Sequence, residues 1–189
     1  MLKAHGRATV AKHALENGAR QTGGQADYRY VFLHPTSAAM KNIFDQAIVE
    51  ALVARINTLT PSTPAQWGKM TVDQMLAHVN VPYIMVYDNT FQRPGLFKRT
   101  LFKLFVKGAV VGPKPYPRNG PTAPEFKMVG AKDFEQERQR LIGYMRRVQK
   151  DGAQAFDGKP SNAFGPLTSA EWNTLFAKHL EHHLTQFGV

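Results

Sequence analysis

Apolar residues recur at three- and four-residue spacing through most of the chain after residue 40, as is typical of amphipathic helices. This pattern predicts helices at about residues 41–59, 71–81, 96–110, 131–151 and 168–187. Thr71 with Gln74 and Thr168 with Glu171 are capping-box pairs, which place the starts of the second and last helices. Alternating apolar and polar runs are sparse, so the sequence predicts an all-α fold.

Proline and glycine separate these helices. Pro82 lacks the N–H that would bond to the carbonyl of His78, which predicts a kink or stop in the second helix near this point. Residues 112–124 are rich in proline and glycine and predict a long loop, and loops of this length are often functional or lid-like. A further loop ends at Gly165 and Pro166 and leads into the last helix.

Residues 1–39 differ in composition from the rest of the chain. They are rich in Gly, Ala, Gln and Arg and have little apolar periodicity. We predict a flexible N-terminal extension here, with a short ordered piece at Tyr28–Leu33, followed by one domain over residues 40–189. Met40 is also a candidate alternative start. The extension lacks the apolar region of a secretory signal, and we expect a cytoplasmic protein.

The composition excludes several kinds of site. The chain has no cysteine, which rules out disulfides, cysteine zinc sites, iron–sulfur clusters and cysteine nucleophiles. No uninterrupted apolar stretch is long enough for a transmembrane helix, so we expect no integral membrane association. The net charge is +10, and the excess is spread along the chain rather than held in one basic arm.

The densest basic segment lies in and just before the predicted third helix, and its Phe, Leu and Val residues are interleaved with five cations: Arg93, Lys98, Arg99, Lys103 and Lys107. The pattern favours a core-facing helix whose lysines form the solvated face. The alternative is a surface for a membrane or an anionic ligand. No nucleic-acid-binding motif accompanies the charge, and we do not expect nucleic acid as a partner.

The histidines are the strongest chemical signal. With about 100° per residue and His179 as zero, His183 falls at about 40°, on the apolar side of the last helix, and His182 at about −60°, on its shoulder. His78 falls at the centre of the apolar side of the second helix. A buried imidazole requires a hydrogen bond or a metal, and facing helices can combine their ligands on one ion.

These three inward histidines therefore indicate a divalent metal site with an open coordination position, as in catalytic rather than structural zinc sites. Two alternatives remain. His78 alone is typical of a hydrogen-bonded core histidine, and the pair His179 and His183 also fits a solvated histidine cluster at a helix end. We interpret His182 as a neighbour of the site rather than a ligand.

Two segments resemble a known family. Gly68–Val79 looks like the second-helix motif of the DinB/YfiT-like proteins, and Gly165–Gly188 is similar to their C-terminal motif. The resemblance covers about residues 40–189 and looks closest to a branch of unknown function. It implies an up-down-down-up four-helix bundle in which the three histidines hold a metal, usually zinc or nickel. The family's Arg-Gly-Gln appears here as Leu184-Thr185-Gln186, so the glutamine is kept and the arginine is lost.

The resemblance also implies a bacterial enzyme that acts on a small molecule, either a hydrolase or a thiol-dependent transferase that uses a low-molecular-weight thiol. A metal-bound water or thiolate would then be the nucleophile, but we find no obvious general base, since Asp73 and Glu181 project away from the histidines. Candidate supporting residues around the metal are Gln186, His182 and Glu171. The candidate substrate loop contains Lys114, Tyr116 and Arg118.

A second functional class stays open at this point. It is a non-catalytic helical bundle that binds a metal or ligand, or that uses its basic surface to reach nucleic acid or an anionic membrane. A homodimer is plausible in either class, because bundles of this size often pair.

Overall fold

A computed structural model describes residues 41–88 and 90–189 of the chain, and these residues are mostly helical. The predicted extension over residues 1–39, its ordered piece at Tyr28–Leu33 and the alternative start at Met40 lie outside the described residues. Among the helices that are described, none is both long and apolar enough to cross a bilayer.

Four helices of at least 12 residues dominate the described part: α1 Gln46–Asn57, α2 Val72–Tyr87, α5 Phe134–Phe156 and α6 Ser169–Gln186. Shorter elements lie between α2 and α5: α3 Leu96–Leu101, a π-helical segment Phe102–Val106, α4 Lys107–Val111 and a 3-10 turn Pro124–Phe126. Before α6, β1 Pro160–Ser161 pairs antiparallel with β2 Gly165–Pro166.

Side-chain caps set the starts of the long helices. Both predicted capping boxes are confirmed: Gln74 accepts a hydrogen bond from the N–H of Thr71, and Glu171 accepts one from the N–H of Thr168. Helix α1 begins later than predicted, because the Asp45 side chain accepts from the N–H of Ile48 and caps the helix at this point.

Helix α2 does not stop near Pro82, so the predicted end at about residue 81 is wrong. It continues to Tyr87 with the proline inside. Proline removes one hydrogen bond from the helix, whereas packing holds the turns that follow it. The ring of Tyr83 is buried and stacks on Phe176 at 4.5 Å between centroids, and the hydroxyl of Tyr87 donates to Asp151.

Helix α5 starts at its Asp133 cap and extends past the predicted end to Phe156. Gly152 interrupts its regular geometry with a φ of 76°, in the left-handed region that glycine enters without a Cβ clash. The helix predicted at residues 131–151 is confirmed, and its apolar residues Leu141, Ile142, Met145 and Val148 are all buried.

The core lies where the long helices meet. Helix α2 packs against α5 and α6, and α5 also contacts α1 and α6. The largest fully buried side chains are aromatic or aliphatic, among them Tyr83, Phe156, Phe176, Met75, Leu141 and Met145. This arrangement brings the apolar sides of α2 and α6, and with them the predicted histidine ligands, to face each other.

The predicted third helix is confirmed as an uninterrupted helical stretch over residues 96–111, with a π-helical turn at Phe102–Val106, but it is only partly core-facing. None of its residues from 96 to 111 is buried. Only its inner side packs on the core, through Phe102, Val110 and Val111. The periodicity of the sequence marked an amphipathic segment correctly, but the side that carries Phe97 and Phe105 points away from the core.

Candidate metal centre

Three histidines from two helices meet in the interior. Helix α2 contributes His78, and α6 contributes His179 and His183 from consecutive turns. Their exposed fractions are 5%, 9% and 6%, so all three rings are buried. The helical projection predicted this inward orientation from the sequence, and the structure confirms it.

The ring nitrogens of the three residues converge. One candidate ligand atom from each of His78, His179 and His183 lies within 4.8 Å of the others. The Nε2 atoms of His78 and His179 are 2.9 Å apart, and the ring centroid of His183 is 4.6 Å from that of His78. Three nitrogens at these distances can bind one small cation after minor side-chain rotation.

Hydrogen bonds outside the cluster orient two of the rings. The Nδ1 of His78 lies 2.8 Å from the carbonyl of Phe126, which can only accept, so this nitrogen carries the hydrogen and donates it. The Nε2 of His78 then presents its lone pair to the other two histidines. Ligand histidines in metal sites are held in this way by a donor bond from their second nitrogen.

His183 is oriented by a side-chain amide instead. Gln186 donates from Nε2 to the carbonyl of Trp67 at 2.7 Å, which directs its oxygen Oε1 to the Nδ1 of His183, also at 2.7 Å. The Nδ1 of His183 therefore carries the ring hydrogen and donates it. Its Nε2 carries no hydrogen and presents a lone pair. Gln186, one of the predicted supporting residues, therefore contacts His183 directly.

Burial keeps the three rings neutral. It lowers the pKa of His78, His179 and His183, and the proximity of the other imidazoles lowers the pKa of His179 and His183 further. For His183 the pKa falls to about 3. Neutral imidazole is the form that binds metal ions, so the ligands need not lose a proton first at neutral pH.

The donor set fits a divalent transition metal. The lone pair on the Nε2 of His78 can accept the Nε2–H of His179 at 2.9 Å, and among the described residues the Nε2 of His183 has no hydrogen-bond donor; one cation would satisfy all three nitrogens. Imidazole nitrogen suits zinc and nickel, and three protein ligands leave a coordination position open. Among the described residues, no other group of three His, Asp or Glu side chains has ligand atoms this close together.

A cavity of about 400 Å³ opens beside the histidines. Tyr116 lines this cavity and also lies close to the cluster, since its ring is nearly perpendicular to those of His179 and His182 at centroid distances of 6.3 and 5.7 Å. The wall combines aromatic, proline and charged side chains: Lys41, Trp67, Pro113, Pro115, Tyr116, Arg118, Ala177, Lys178, Glu181, His182 and Thr185.

The cavity wall carries a positive charge. Glu181 is its one carboxylate, and it is already paired with Lys41 at 2.6 Å and with Arg55 at 2.5 Å. The guanidinium of Arg118 lies 4.3 Å from the centre of the Trp67 ring and forms no ion pair with any described residue. An anionic group in the cavity would therefore meet a cation that no carboxylate neutralises.

Lys178 attaches the loop of the cavity to α6. Its ammonium donates to the carbonyls of Ala109, Gly112 and Lys114 at 2.9, 2.6 and 3.2 Å and lies over the ring of Tyr116. Burial lowers the pKa of this ammonium. These bonds hold the end of α4 and the start of the loop against the helix that carries His179.

The other predicted site residues divide into two groups. His182, Tyr116 and Arg118 line the cavity beside the cluster. Lys114 and Glu171 do not contact it: the Lys114 side chain is exposed, and Glu171 pairs with Lys107 and caps α6 two turns before His179. Glu171 has the capping role that its spacing predicts, and neither of its carboxylate oxygens is directed at the histidines.

Four residues of the site were not predicted: Trp67, Gly68, Phe126 and Lys178. Trp67 and Phe126 contribute backbone carbonyls, which no side-chain pattern can indicate. Gly68 has a φ of 85°, and a Cβ there would lie 2.7 Å from the Nε2 of Gln186. The available signal was its place at the start of the Gly68–Val79 segment, which resembles the family's second-helix motif.

Comparison with known proteins places the chain in a family without a described activity. No curated protein and no solved structure matches the sequence. A family model described as "Protein of unknown function (DUF1569)" matches residues 41–188, which includes all of the candidate metal centre. The chain therefore belongs to the DUF1569 family.

Proposed function

We propose that this chain is a divalent-metal-dependent enzyme that acts on a small anionic molecule. The observation that carries the proposal is the convergence of His78, His179 and His183, with two of their rings oriented from outside by Phe126 and Gln186. A histidine that only fills a core needs one hydrogen bond, whereas this arrangement directs bare nitrogens at one point.

The proposal includes a relationship to the DinB/YfiT-like superfamily. Under this relationship, the up-down-down-up bundle would consist of the four helices α1, α2, α5 and α6. Two features support this relationship: these four helices are the long ones of the described part, and the histidines come from the second and last of them, as in that superfamily. Zinc or nickel is the metal we propose.

Each group around the centre has a physical role in the proposed reaction. A divalent ion would supply Lewis acidity for hydrolysis or for transfer of a low-molecular-weight thiol. Arg118 would bind the anionic part of the substrate, and the rings of Trp67 and Tyr116 would contact its apolar part. Lys178 would hold the loop that positions Tyr116 over the open side of the cluster.

A second candidate is a metal-binding protein without catalysis. One observation favours it: the carboxylates nearest in sequence to the histidines have other partners. Asp73 accepts from the N–H of Lys132, Glu181 pairs with Lys41 and Arg55, and Glu171 pairs with Lys107. A general base would then have to come from the substrate or from His182.

The test is a zinc and nickel titration of the full chain by calorimetry, together with elemental analysis of the purified protein. We expect one ion per chain and a loss of affinity of at least about 100-fold in His78→Ala and His179→Ala. His182→Ala is the matched control, because its ring adjoins His183 but is directed at the cavity; its affinity should change only a few-fold. Circular dichroism checks that each variant is folded.

The outcomes separate the candidates. A protein that binds no ion, or that binds one equally well in His179→Ala, contradicts the metal centre. Stoichiometric metal with no turnover of ester, amide, phosphoester or thiol-acceptor substrates supports the non-catalytic candidate. Turnover that requires the ion supports the enzyme. Arg118→Ala should then raise KM for anionic substrates about 10-fold or more and change kcat little, because a charge-assisted bond contributes to substrate binding.

A further inference from the structure

The stretch between α2 and the 3-10 turn has an unusual charge distribution. Residues 89–124 contain seven Lys or Arg residues and no Asp or Glu. Five of the cations fall between residues 93 and 107, in and just before the helical stretch over residues 96–111. This part of the surface is therefore strongly positive and has no internal carboxylates to neutralise it.

The same segment exposes large apolar side chains. The exposed fractions of Leu96 and Phe97 are 80%, and those of Leu104 and Phe105 are 68% and 77%. Seven large hydrophobic residues are exposed in the described part of the chain, and six of them lie in this segment. Single exposed apolar residues are ordinary on a protein surface, but a cluster of this size indicates a binding surface.

The exposure does not result from a detached segment. Phe102, Val110 and Val111 pack its inner side on the core, and Lys107 forms an ion pair with Glu171 at 2.7 Å. Because the inner side is fixed to the core, the apolar residues of the outer side stay exposed to solvent. Lys98 and Lys103 lie on this exposed part, between the apolar residues in sequence.

We propose that residues 93–106, the basic-apolar surface, dock the protein on an anionic phospholipid bilayer. Phe97, Leu104 and Phe105 would enter the boundary between headgroups and acyl chains, and lysine side chains would extend to the phosphates. Helices that lie in a membrane interface combine these two features, apolar insertion and attraction to anionic lipid. The proposed contact is with the membrane surface and needs no spanning helix.

Charge decides between this partner and a second copy of the chain. Two copies that met through this surface would bring their cations together without a carboxylate between residues 89 and 124. An anionic bilayer instead attracts the cations and accepts the apolar side chains. Nucleic acid would neutralise the charge but offers little apolar volume for two phenylalanines and two leucines that stand out from the surface.

The test is co-sedimentation of the full chain with vesicles of phosphatidylcholine alone or with about one third phosphatidylglycerol. We expect binding to the anionic vesicles that weakens at high salt, because screening reduces the attraction. Phe97→Ser with Phe105→Ser should weaken binding at least about tenfold. Each of Lys98→Ser and Lys103→Ser should weaken it about fivefold.

Matched controls lie elsewhere on the surface. Val129→Ser removes an exposed apolar side chain, and Lys150→Ser removes an exposed cation, both outside the basic-apolar surface. Binding to anionic vesicles should be unchanged in both. It should also be unchanged in His179→Ala, so this result does not depend on whether the metal centre exists.

Three results would overturn the proposal. The first is absence of binding to anionic vesicles. The second is binding that the paired Phe97 and Phe105 substitutions leave unchanged. The third is a dimer, measured by light scattering, in a protein that does not bind vesicles. If the paired Phe97 and Phe105 substitutions convert that dimer to a monomer, a second copy of the chain covers the surface.

Discussion

Replacement of Gln186 by leucine tests how the centre is held together. Gln186 is 4% exposed, and its side chain joins α6 to the segment before α2: it accepts from His183 and donates to the carbonyl of Trp67, both at 2.7 Å. Leucine has a similar volume and makes neither bond. The substitution therefore removes two polar contacts and creates little empty space.

The magnitude follows from what each former partner can do afterwards. The Nδ1–H of His183 is buried and loses its acceptor, which costs about 1–3 kcal/mol. The carbonyl of Trp67 lies in a partly exposed segment, where water can replace the lost donor. We therefore expect a loss of about 2 kcal/mol in the free energy of unfolding. We also expect a 10–100-fold loss of metal affinity, as for other residues that orient a ligand histidine.

Urea unfolding with chelator present measures the first quantity, and zinc titration measures the second. Gln186→Glu is the informative control, because a carboxylate still accepts from His183 but cannot donate to Trp67. It should lose stability and keep metal affinity within a few-fold. If Gln186→Leu changes neither quantity, the orienting role of Gln186 is refuted.

Three further predictions concern the surroundings of the centre. Gly68→Ala should cost about 2 kcal/mol by urea unfolding, because alanine is strained at a φ of 85° and its Cβ would displace the amide behind His183; unchanged stability would contradict this. Lys178→Met should cost about 2 kcal/mol and speed proteolysis of the loop after α4, since three carbonyls lose their donor; a protected loop would argue against this anchor. Burial raises the pKa of Asp73, but hydrogen bonds from Thr71 and the N–H of Lys132 outweigh it and the pKa lies below its ordinary value. The carboxylate therefore stabilises the fold above about pH 4 and stops doing so as pH falls through its lowered pKa, and Asp73→Asn should flatten this acid-side loss in urea unfolding.

Much of the helical layout could be predicted because it depends on local chemistry. The capping pairs at Thr71 and Thr168 satisfy N–H groups that any helix leaves unpaired at its start. The apolar spacing in α5 and α6 determines which side of each helix is buried. Positions that depend on packing were predicted less well, as the continuation of α2 through Pro82 illustrates.

The segment at residues 96–111 illustrates the limit of periodicity. Its spacing predicts an amphipathic helix, but periodicity does not state which partner the apolar side will meet. Side chains of the long helices already fill the core between α2, α5 and α6. Of this segment, only Phe102, Val110 and Val111 therefore pack against that core. The remaining apolar residues stay exposed, a result that depends on the whole arrangement rather than on the segment.

The sequence alone determined which histidines point inward, because a helix sets side-chain directions by residue number. It could not determine that the three nitrogens meet within 4.8 Å, since that distance depends on how α2 and α6 cross. Only the tertiary structure brought the carbonyl of Phe126 to His78 and that of Trp67 to Gln186, and placed the cavity beside the histidines. Backbone carbonyls are identical at every residue, so their role arises from position in space and leaves no trace in the order of side chains.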